Sequence, residues 1–348
     1  NKLLIYDIPL SKVRSAIQRS NNDVGGRLIE MAETGGPEVL VPGRRPRPEP
    51  RPGEVLLRVI AAGVNGPDLV QRRGHYPPPK GASDLLGLEA CGEVVAVGAD
   101  VTRWKPGDLV VALTNGGAYA EQVAVAADHC LPPPEGVDPV DAAGLPETFF
   151  TVWSNIFLPA RIREGALLLV HGGAGGIGST AIQLGAALGL RVFATAGSAE
   201  DCQFCEEIGA ERAIDFHTEN FVEIVRAAGG ADIILDIIGG DYIARNIKAA
   251  RHDGRIVQIA FNKGSRVEID LMPVMLKRLI FTGSTLRSQS PAFKARIARE
   301  LEEQVWPLFA QGRLRTLTHK VLPLTEAAEA HRMLEASRHR GKVLLSPR

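Results

Sequence analysis

Leu167-Leu168-Leu169-Val170-His171-Gly172-Gly173-Ala174-Gly175-Gly176-Ile177-Gly178 is the stretch on which the fold turns. An apolar run of strand length ends in a glycine-rich turn, and the turn runs straight into a helical pattern. Gly172, Gly175 and Gly178 recur every third residue, a variant of the dinucleotide fingerprint. In such a turn the first glycine permits the tight bend. The second lets backbone approach a pyrophosphate, and the third lets the helix pack on the strand. Gly176 and Ile177 open the helix, where free backbone N–H groups and the helix dipole favour a phosphate.

Reading outward, the C-terminal side alternates strands with helices. Ala166 to His171, Arg191 to Thr195, Ala213 to Asp215, Ile233 to Ile238 and Arg255 to Ala260 read as strands, and Leu279 to Gly283 closes the series. Between them Ile177 to Leu190, Ala199 to Ile208, Phe221 to Ala228 and Tyr242 to Ala250 read as helices. Apolar strands alternating with helices mean parallel βαβ units covered on both faces. Further helices are expected at Glu147 to Ile156 and, as one long piece, Pro291 to Leu308, with a last strand at Val343 to Leu345.

The N-terminal side has another texture. Leu28 to Met31, Glu54 to Val64, Ala90 to Val97 and Leu109 to Leu113 read as short strands separated by Gly/Pro/Asp turns. Pro42 to Pro52 reads as a Pro/Arg-rich loop, and Tyr76-Pro77-Pro78-Pro79 as a bend. Residues 1–26, with room for a turn or two of helix from Ser11 to Ser20, resemble neither a targeting peptide nor a domain start. They read as an N-terminal extension.

At 348 residues the chain exceeds what one core usually supports, so two domains are expected. Lysine plus arginine equals aspartate plus glutamate, at 40 each, which gives no long-range field for nucleic acid or an anionic membrane. No apolar run reaches membrane-spanning length. Four cysteines are too few for a disulfide scaffold at this size, and the cytoplasm is the default compartment.

The second strand of the βαβ series chooses the dinucleotide. An acid at its tip would grip the ribose 2′-hydroxyl of NADH and repel the 2′-phosphate of NADPH. Here the tip is Ala196-Gly197-Ser198, which leaves room for a phosphate, although Asp201 follows three residues later. The residues favour NADPH, with NADH as the second cofactor.

From Arg27 onward the chain resembles the zinc-independent quinone oxidoreductase, zeta-crystallin-like branch of the medium-chain dehydrogenase/reductase superfamily. The matching stretches are Gly63-Val64-Asn65, Leu86-Gly87-Leu88-Glu89, Gly116-Gly117-Ala118-Tyr119-Ala120-Glu121, Leu145-Pro146, the glycine turn, Thr195-Ala196-Gly197-Ser198, Asp236-Ile237-Ile238-Gly239-Gly240 and Gly283-Ser284-Thr285-Leu286-Arg287. The resemblance implies an α/β chain in two domains. Residues 27–148 and 286–348 would form a GroES-like β-barrel catalytic domain. Residues 149–285 would form a Rossmann doubly wound parallel sheet. It implies that Asn65 and Tyr76 line the nicotinamide and substrate pocket, and that Thr151, the glycine turn, Gly197, Ser198, Ala260 and Phe261 hold the cofactor. NADPH users in the branch carry Lys where Asp201 stands and Tyr where Phe216 stands, both on the 2′-phosphate. The departures imply only a weak lean to NADPH. A homodimer, or a homotetramer built from it, is implied as well.

Zinc-dependent relatives use a cysteine and a histidine where this chain has Val64-Asn65 and Leu88. Cys202-x-x-Cys205 has metal-like spacing but no second pair and falls in a predicted helix, so a structural reading is preferred. Without a metal to polarise an alcohol, reduction of an activated acceptor, a quinone or another α,β-unsaturated carbonyl, is expected. A 2-enoyl thioester reductase and a non-catalytic dinucleotide- or RNA-binding protein are the alternatives. The RNA role wants basic grooves and stacking platforms that this composition does not offer. Tyr76 either donates a proton to the reduced acceptor or walls the pocket beside Pro77. Asn65 either bonds cofactor or acceptor or shapes a turn. His171 and Glu89 read mainly as structural hydrogen-bonding residues, and Trp153, Phe157, Trp306 and Phe309 as core.

Overall fold

In the computed structural model, which describes residues 24–159 and 162–347, the strands form two sheets. The segment Ser11 to Ser20 lies outside the described residues. The glycine turn belongs to a six-stranded sheet. Its strands are β8 (Leu167–His171), β9 (Arg191–Ala196), β10 (Arg212–Asp215), β11 (Ala231–Asp236), β12 (Ala250–Gln258) and β13 (Ile280–Gly283). They lie in the order β10-β9-β8-β11-β12-β13, and every pair is parallel. Counted from β8, that is the 3-2-1-4-5-6 order of the dinucleotide-binding fold, whose ligands bind where the strand order reverses. The reversal falls between β8 and β11, directly beyond His171 and Asp236.

The other sheet has nine strands. Seven come from the N-terminal side: β1 (Val24–Met31), β2 (Leu40–Arg45), β3 (Glu54–Gly63), β4 (Glu89–Val97), β5 (Leu109–Leu113), β6 (Ala120–Ala126) and β7 (Cys130–Leu131). The chain's end supplies the remaining two, β14 (Thr318–Pro323) and β15 (Lys342–Ser346), with Leu344 and Leu345 pairing antiparallel to Gly63 and Ala62 of β3. One buried apolar cluster runs from this sheet through Phe149, Trp306 and Phe309 into the six-stranded sheet at Leu168 and Val170. The four aromatics read as core lie in or against it, Trp153 stacking on Phe157 with centroids 5.3 Å apart.

Two expectations are corrected. The Pro/Arg-rich stretch from Pro42 is not all loop, because Leu40–Arg45 is an antiparallel partner of β1. It lies at the end of the sheet order, and there Pro42 can lack an N–H without breaking a ladder on its outer side. Pro291 to Leu308 is not one regular helix. Pro291–Glu300 is α-helical, Leu301–Val305 widens to five-residue turns, and Trp306–Ala310 restarts. Pro307 has no N–H to give the preceding turn, which accounts for the break.

Candidate functional site

The three turn glycines are required for three different reasons. Gly172 has φ of +71°, where a side chain is strained. A Cβ on Gly178 would lie 2.2 Å from the Gly172 carbonyl oxygen, so helix and strand touch there through bare backbone. Gly175 is different. Its φ of −74° suits any residue, and a Cβ would meet only the Gly172 oxygen at 3.7 Å. Nothing in the folded chain explains a glycine at that position; an approaching pyrophosphate would. Gly176 caps the account, since a Cβ there would press on Lys342 at 2.9 Å. Ile177 follows in the first turn of the helix Gly176–Ala187, whose leading N–H groups have no intrahelical acceptor.

At the adenosine end, Ser198 caps the helix Ala199–Glu207 by accepting from the Asp201 N–H at 3.1 Å. Phe216 lies alongside, its ring 3.2 Å from where a Cβ of Gly197 would stand, and is itself exposed. Asp201 is not a bare negative charge. Arg340 Nε donates to its Oδ1 at 2.7 Å. Arg340 arrives on a segment that crosses the glycine turn, where Gly341 N–H donates to the Ala174 carbonyl at 2.8 Å. Ala260 and Phe261 follow the C-terminal end of β12, where Gln258 Nε2 donates to the Ala260 carbonyl and the Phe261 ring is exposed.

The same crossing delivers Lys342 to the opposite end. Its ammonium, almost fully buried, donates to Asn65 Oδ1 and Glu89 Oε1 at 2.6 Å each. Asn65 Nδ2 donates to the same Glu89 oxygen at 2.8 Å, and Glu147 N–H to the other at 2.8 Å. Glu89 is therefore a buried carboxylate with three protein donors, in keeping with its structural reading. Asn65 also starts the helix Gly66–Arg72, its N–H donating to Asp68 Oδ2 at 2.9 Å. Its side-chain amide is bonded to Glu89 and Lys342. Burial raises the Asp68 carboxyl to about 6, against two backbone donors that lower it. Behind it, Tyr119 Oη bridges Asp68 and His331, and Arg72 joins His331 to Glu335.

Tyr76 lies half-buried with the Arg287 guanidinium 5.4 Å from its ring centroid. Burial raises its phenol, and the nearby Glu147 charge adds to that. Arg287 is pinned by Gln71 Oε1 and the Asn115 carbonyl, and Lys294 by Asn115 Oδ1 and the Arg287 carbonyl. Both cations are buried, and burial lowers Lys294 to about 8. Glu147 interacts with this pair and with the Lys342 cluster, and its carboxyl is raised to about 8 by burial, then by Glu89. Thr151 is buried one turn further along the helix Pro146–Val152.

His171 is fully buried, bonded to Thr195 Oγ1 at 3.0 Å and Asn246 Oδ1 at 2.8 Å, and Asn246 in turn donates to Asp236. It is a satisfied strand-end residue. Cys202 and Cys205 lie on one helix, and among the described residues no three His, Cys, Asp or Glu side chains converge to hold a metal. The sequence reading did not single out Glu147, Arg287, Lys294, Arg340 or Lys342 as site residues. Pro146-Glu147, a charge directly after a helix-starting proline, was the one local signal available.

Two families match the chain: the alcohol dehydrogenase GroES-like domain over residues 51–135 and the zinc-binding dehydrogenase over 176–303. A quinone oxidoreductase of Pseudomonas aeruginosa is 32% identical over 92% of this chain and 99% of its own. A mycocerosic acid synthase-like polyketide synthase of Mycobacterium tuberculosis is 31% identical over 92% of this chain, which spans only 15% of that protein. The Escherichia coli quinone oxidoreductase complexed with NADPH superposes with a TM-score of 0.82, at 28% identity, over 92% of this chain and 100% of its own. The CurK enoyl reductase superposes with a TM-score of 0.81, also at 28% identity, over 92% and 98%.

Proposed function

The chain belongs to the quinone oxidoreductase family of the medium-chain dehydrogenase/reductase superfamily, and on that premise we propose that it reduces quinones or other α,β-unsaturated carbonyls with NADPH. The observation that carries the reading is the open face of Gly175 at the strand-order reversal, beside a junction lined by Tyr76 and Glu147. The bare face of Gly175 fits an approaching pyrophosphate. Gly175, Gly176, Ile177 and Gly178 would take the pyrophosphate, and Gly197, Ser198 and Phe216 the adenosine end, while Thr151, Ala260 and Phe261 would hold the nicotinamide side. The bound nicotinamide supplies the hydride. The chain's own work is positioning and exclusion of water. Lys342, Glu89 and Asn65 tie β15 to β4 and the end of β3 within the nine-stranded sheet, at the proposed nicotinamide end, and Tyr76 walls the acceptor.

The reaction is proposed to be independent of zinc, because the buried Glu89 carboxylate already has the Lys342 ammonium as its counter-ion. A cytoplasmic homodimer, paired through the exposed apolar edge at Ile280 and Phe281, completes the proposal. Among the described residues no helix is long and apolar enough to cross a membrane. Reduction of a 2-enoyl thioester is the second reading, favoured by the likeness to the CurK enoyl reductase. Steady-state NADPH oxidation against a panel of quinones and against an enoyl thioester separates the two. If no acceptor of either kind is reduced, the reading fails.

A further inference from the structure

We propose that Glu147 is the group that protonates the reduced acceptor, handing over its carboxyl proton while Arg287, Lys294 and Lys342 steady the carboxylate left behind. The proposal rests on the reductase reading above and goes beyond it.

Three observations converge. The first is placement. Glu147 follows Pro146 at the start of the helix Pro146–Val152, with its N–H anchored on Glu89, and the next residue, Thr148, lies against the first residue of the phosphate-turn helix. A Cβ on Gly176 would stand 3.4 Å from Thr148 Cγ2 and 2.9 Å from Lys342 Cδ. Glu147 is therefore held beside the glycine turn and β15, and its charge acts on the Tyr76 phenol.

The second is the charge arrangement. The groups that face Glu147 are two acids, Glu89 and Asp68, and the cations Lys342, Lys294 and, over the Tyr76 ring, Arg287. Glu89 spends both oxygens on Asn65, Lys342 and the Glu147 N–H, and Asp68 spends its own on Asn65, Gly87 and Tyr119. Those two carboxylates are structural. Lys294 and Arg287 are likewise tied to Asn115 and Gln71, so neither is free to leave with an anion. The carboxyl of Glu147 has no such bond among the described residues, and its charge interacts with Lys342, Lys294 and Arg287.

The third is the protonation state. Burial and the Glu89 charge raise the Glu147 carboxyl to about 8, so at neutral pH it is a neutral acid with a proton to give. Tyr76, raised from an already high value, is a poorer donor at the same pH. A proton donor works best when its acidity is matched to the working pH.

The step balances simply. Hydride adds to the β-carbon of the unsaturated carbonyl, or to the quinone ring system, and its electron pair pushes charge onto the carbonyl oxygen. The O–H bond of Glu147 breaks, and its proton joins the α-carbon to give a saturated carbonyl, or in the quinone case joins the oxyanion, the ring C–H proton then passing to the second oxygen to give a hydroquinone. Water then returns a proton to Glu147.

The test uses Glu147→Gln, with Glu147→Asp as the conservative partner. Wild-type kcat should fall as pH rises through about 8, because the donor is lost on ionisation. Glu147→Gln should lower kcat roughly 100-fold, the usual worth of a placed acid, and flatten that limb. Glu147→Asp should restore part of the rate with a displaced limb. NADPH affinity, read by fluorescence titration, should stay within about twofold of wild type in both variants, on the order of 0.4 kcal/mol. Independently of turnover, the infrared carbonyl band of a protonated carboxyl should vanish in wild type near pH 8 and be missing from Glu147→Gln. Unchanged kcat and an unchanged pH limb in Glu147→Gln would overturn the proposal, as would a band titrating near pH 8 that survives the substitution. A wild type that reduces no acceptor at all would instead overturn the reductase reading, which the infrared titration does not depend on.

Discussion

Replacing Arg340 with alanine should cost NADPH affinity and spare NADH. From the sequence, Asp201 is an obstacle to a 2′-phosphate, standing where related enzymes offer Lys. The fold changes that account, because Arg340 reaches over the glycine turn and neutralises it at 2.7 Å. The guanidinium has further N–H groups besides the Nε given to Asp201. A hydrogen bond to a charged group is worth about 1.5–3 kcal/mol. With the Arg340 side chain 44% exposed, solvent screening puts the expected loss at the low end. The prediction for Arg340→Ala is a rise in the NADPH Kd of about tenfold, or 1.4 kcal/mol. NADH should change by less than about twofold, which is within 0.4 kcal/mol. Calorimetric titration of both cofactors at two salt concentrations reads the effect, and the NADPH loss should shrink at the higher salt. Asp201→Lys should still strengthen NADPH binding, but by less than a bare Asp201 would suggest, since a lysine there also repels Arg340. Equal effects of Arg340→Ala on the two cofactors, or none on either, would show that the phosphate does not sit beside Ser198.

The other expectations are shorter to state. Gly175→Val should leave the fold and thermal midpoint unchanged, since its Cβ meets only the Gly172 oxygen at an unstrained 3.7 Å, yet weaken either dinucleotide roughly 100-fold or more, about 2.7 kcal/mol; unchanged calorimetric binding would misplace the pyrophosphate. Light scattering at micromolar concentration should report a dimer, and a charge placed at Ile280 or Phe281 should shift it toward monomer. Elemental analysis should find far less than one zinc per chain, with activity indifferent to chelator; stoichiometric zinc lost together with activity would overturn the metal-free reading.

The parts of this molecule that the sequence discloses are those whose physics is local. The strand, the turn and the helix around Gly172 to Gly178 sit within twelve residues, and each glycine has a reason visible at that range. The parallel sheet follows from the alternation of apolar strands and helices, because parallel neighbours need crossover connections of that kind. His171, Glu89 and the four core aromatics also behave as their surroundings in sequence suggest. Elements that depend on a distant partner read poorly. Leu40–Arg45 looks like a Pro/Arg-rich loop until β1 is alongside it, and Pro307 breaks a helix that composition alone would continue. Asn65 reads equally as a ligand-bonding or a turn residue, because Lys342, which takes up its amide oxygen, lies 277 residues away.

The same distance explains why the two ends of the site were read separately. Arg340, Gly341 and Lys342 are consecutive, yet Arg340 answers Asp201 at the adenosine end and Lys342 answers Asn65 and Glu89 at the other. Between them Gly341 lies on the glycine turn with φ of +74°, and a Cβ there would fall 2.0 Å from the Leu317 carbonyl oxygen. Only glycine lets the chain turn so sharply while its N–H reaches Ala174. The crossing then continues as β15, hydrogen-bonded to β3 in the nine-stranded sheet. A short covalent strap thus fixes the spacing between Arg340, paired with Asp201, and the cluster that anchors Glu147 through Glu89. The chain's return to the first sheet is therefore part of the site itself. It brings to one place three elements, around residues 65, 175 and 340, that no local reading of the sequence could have joined.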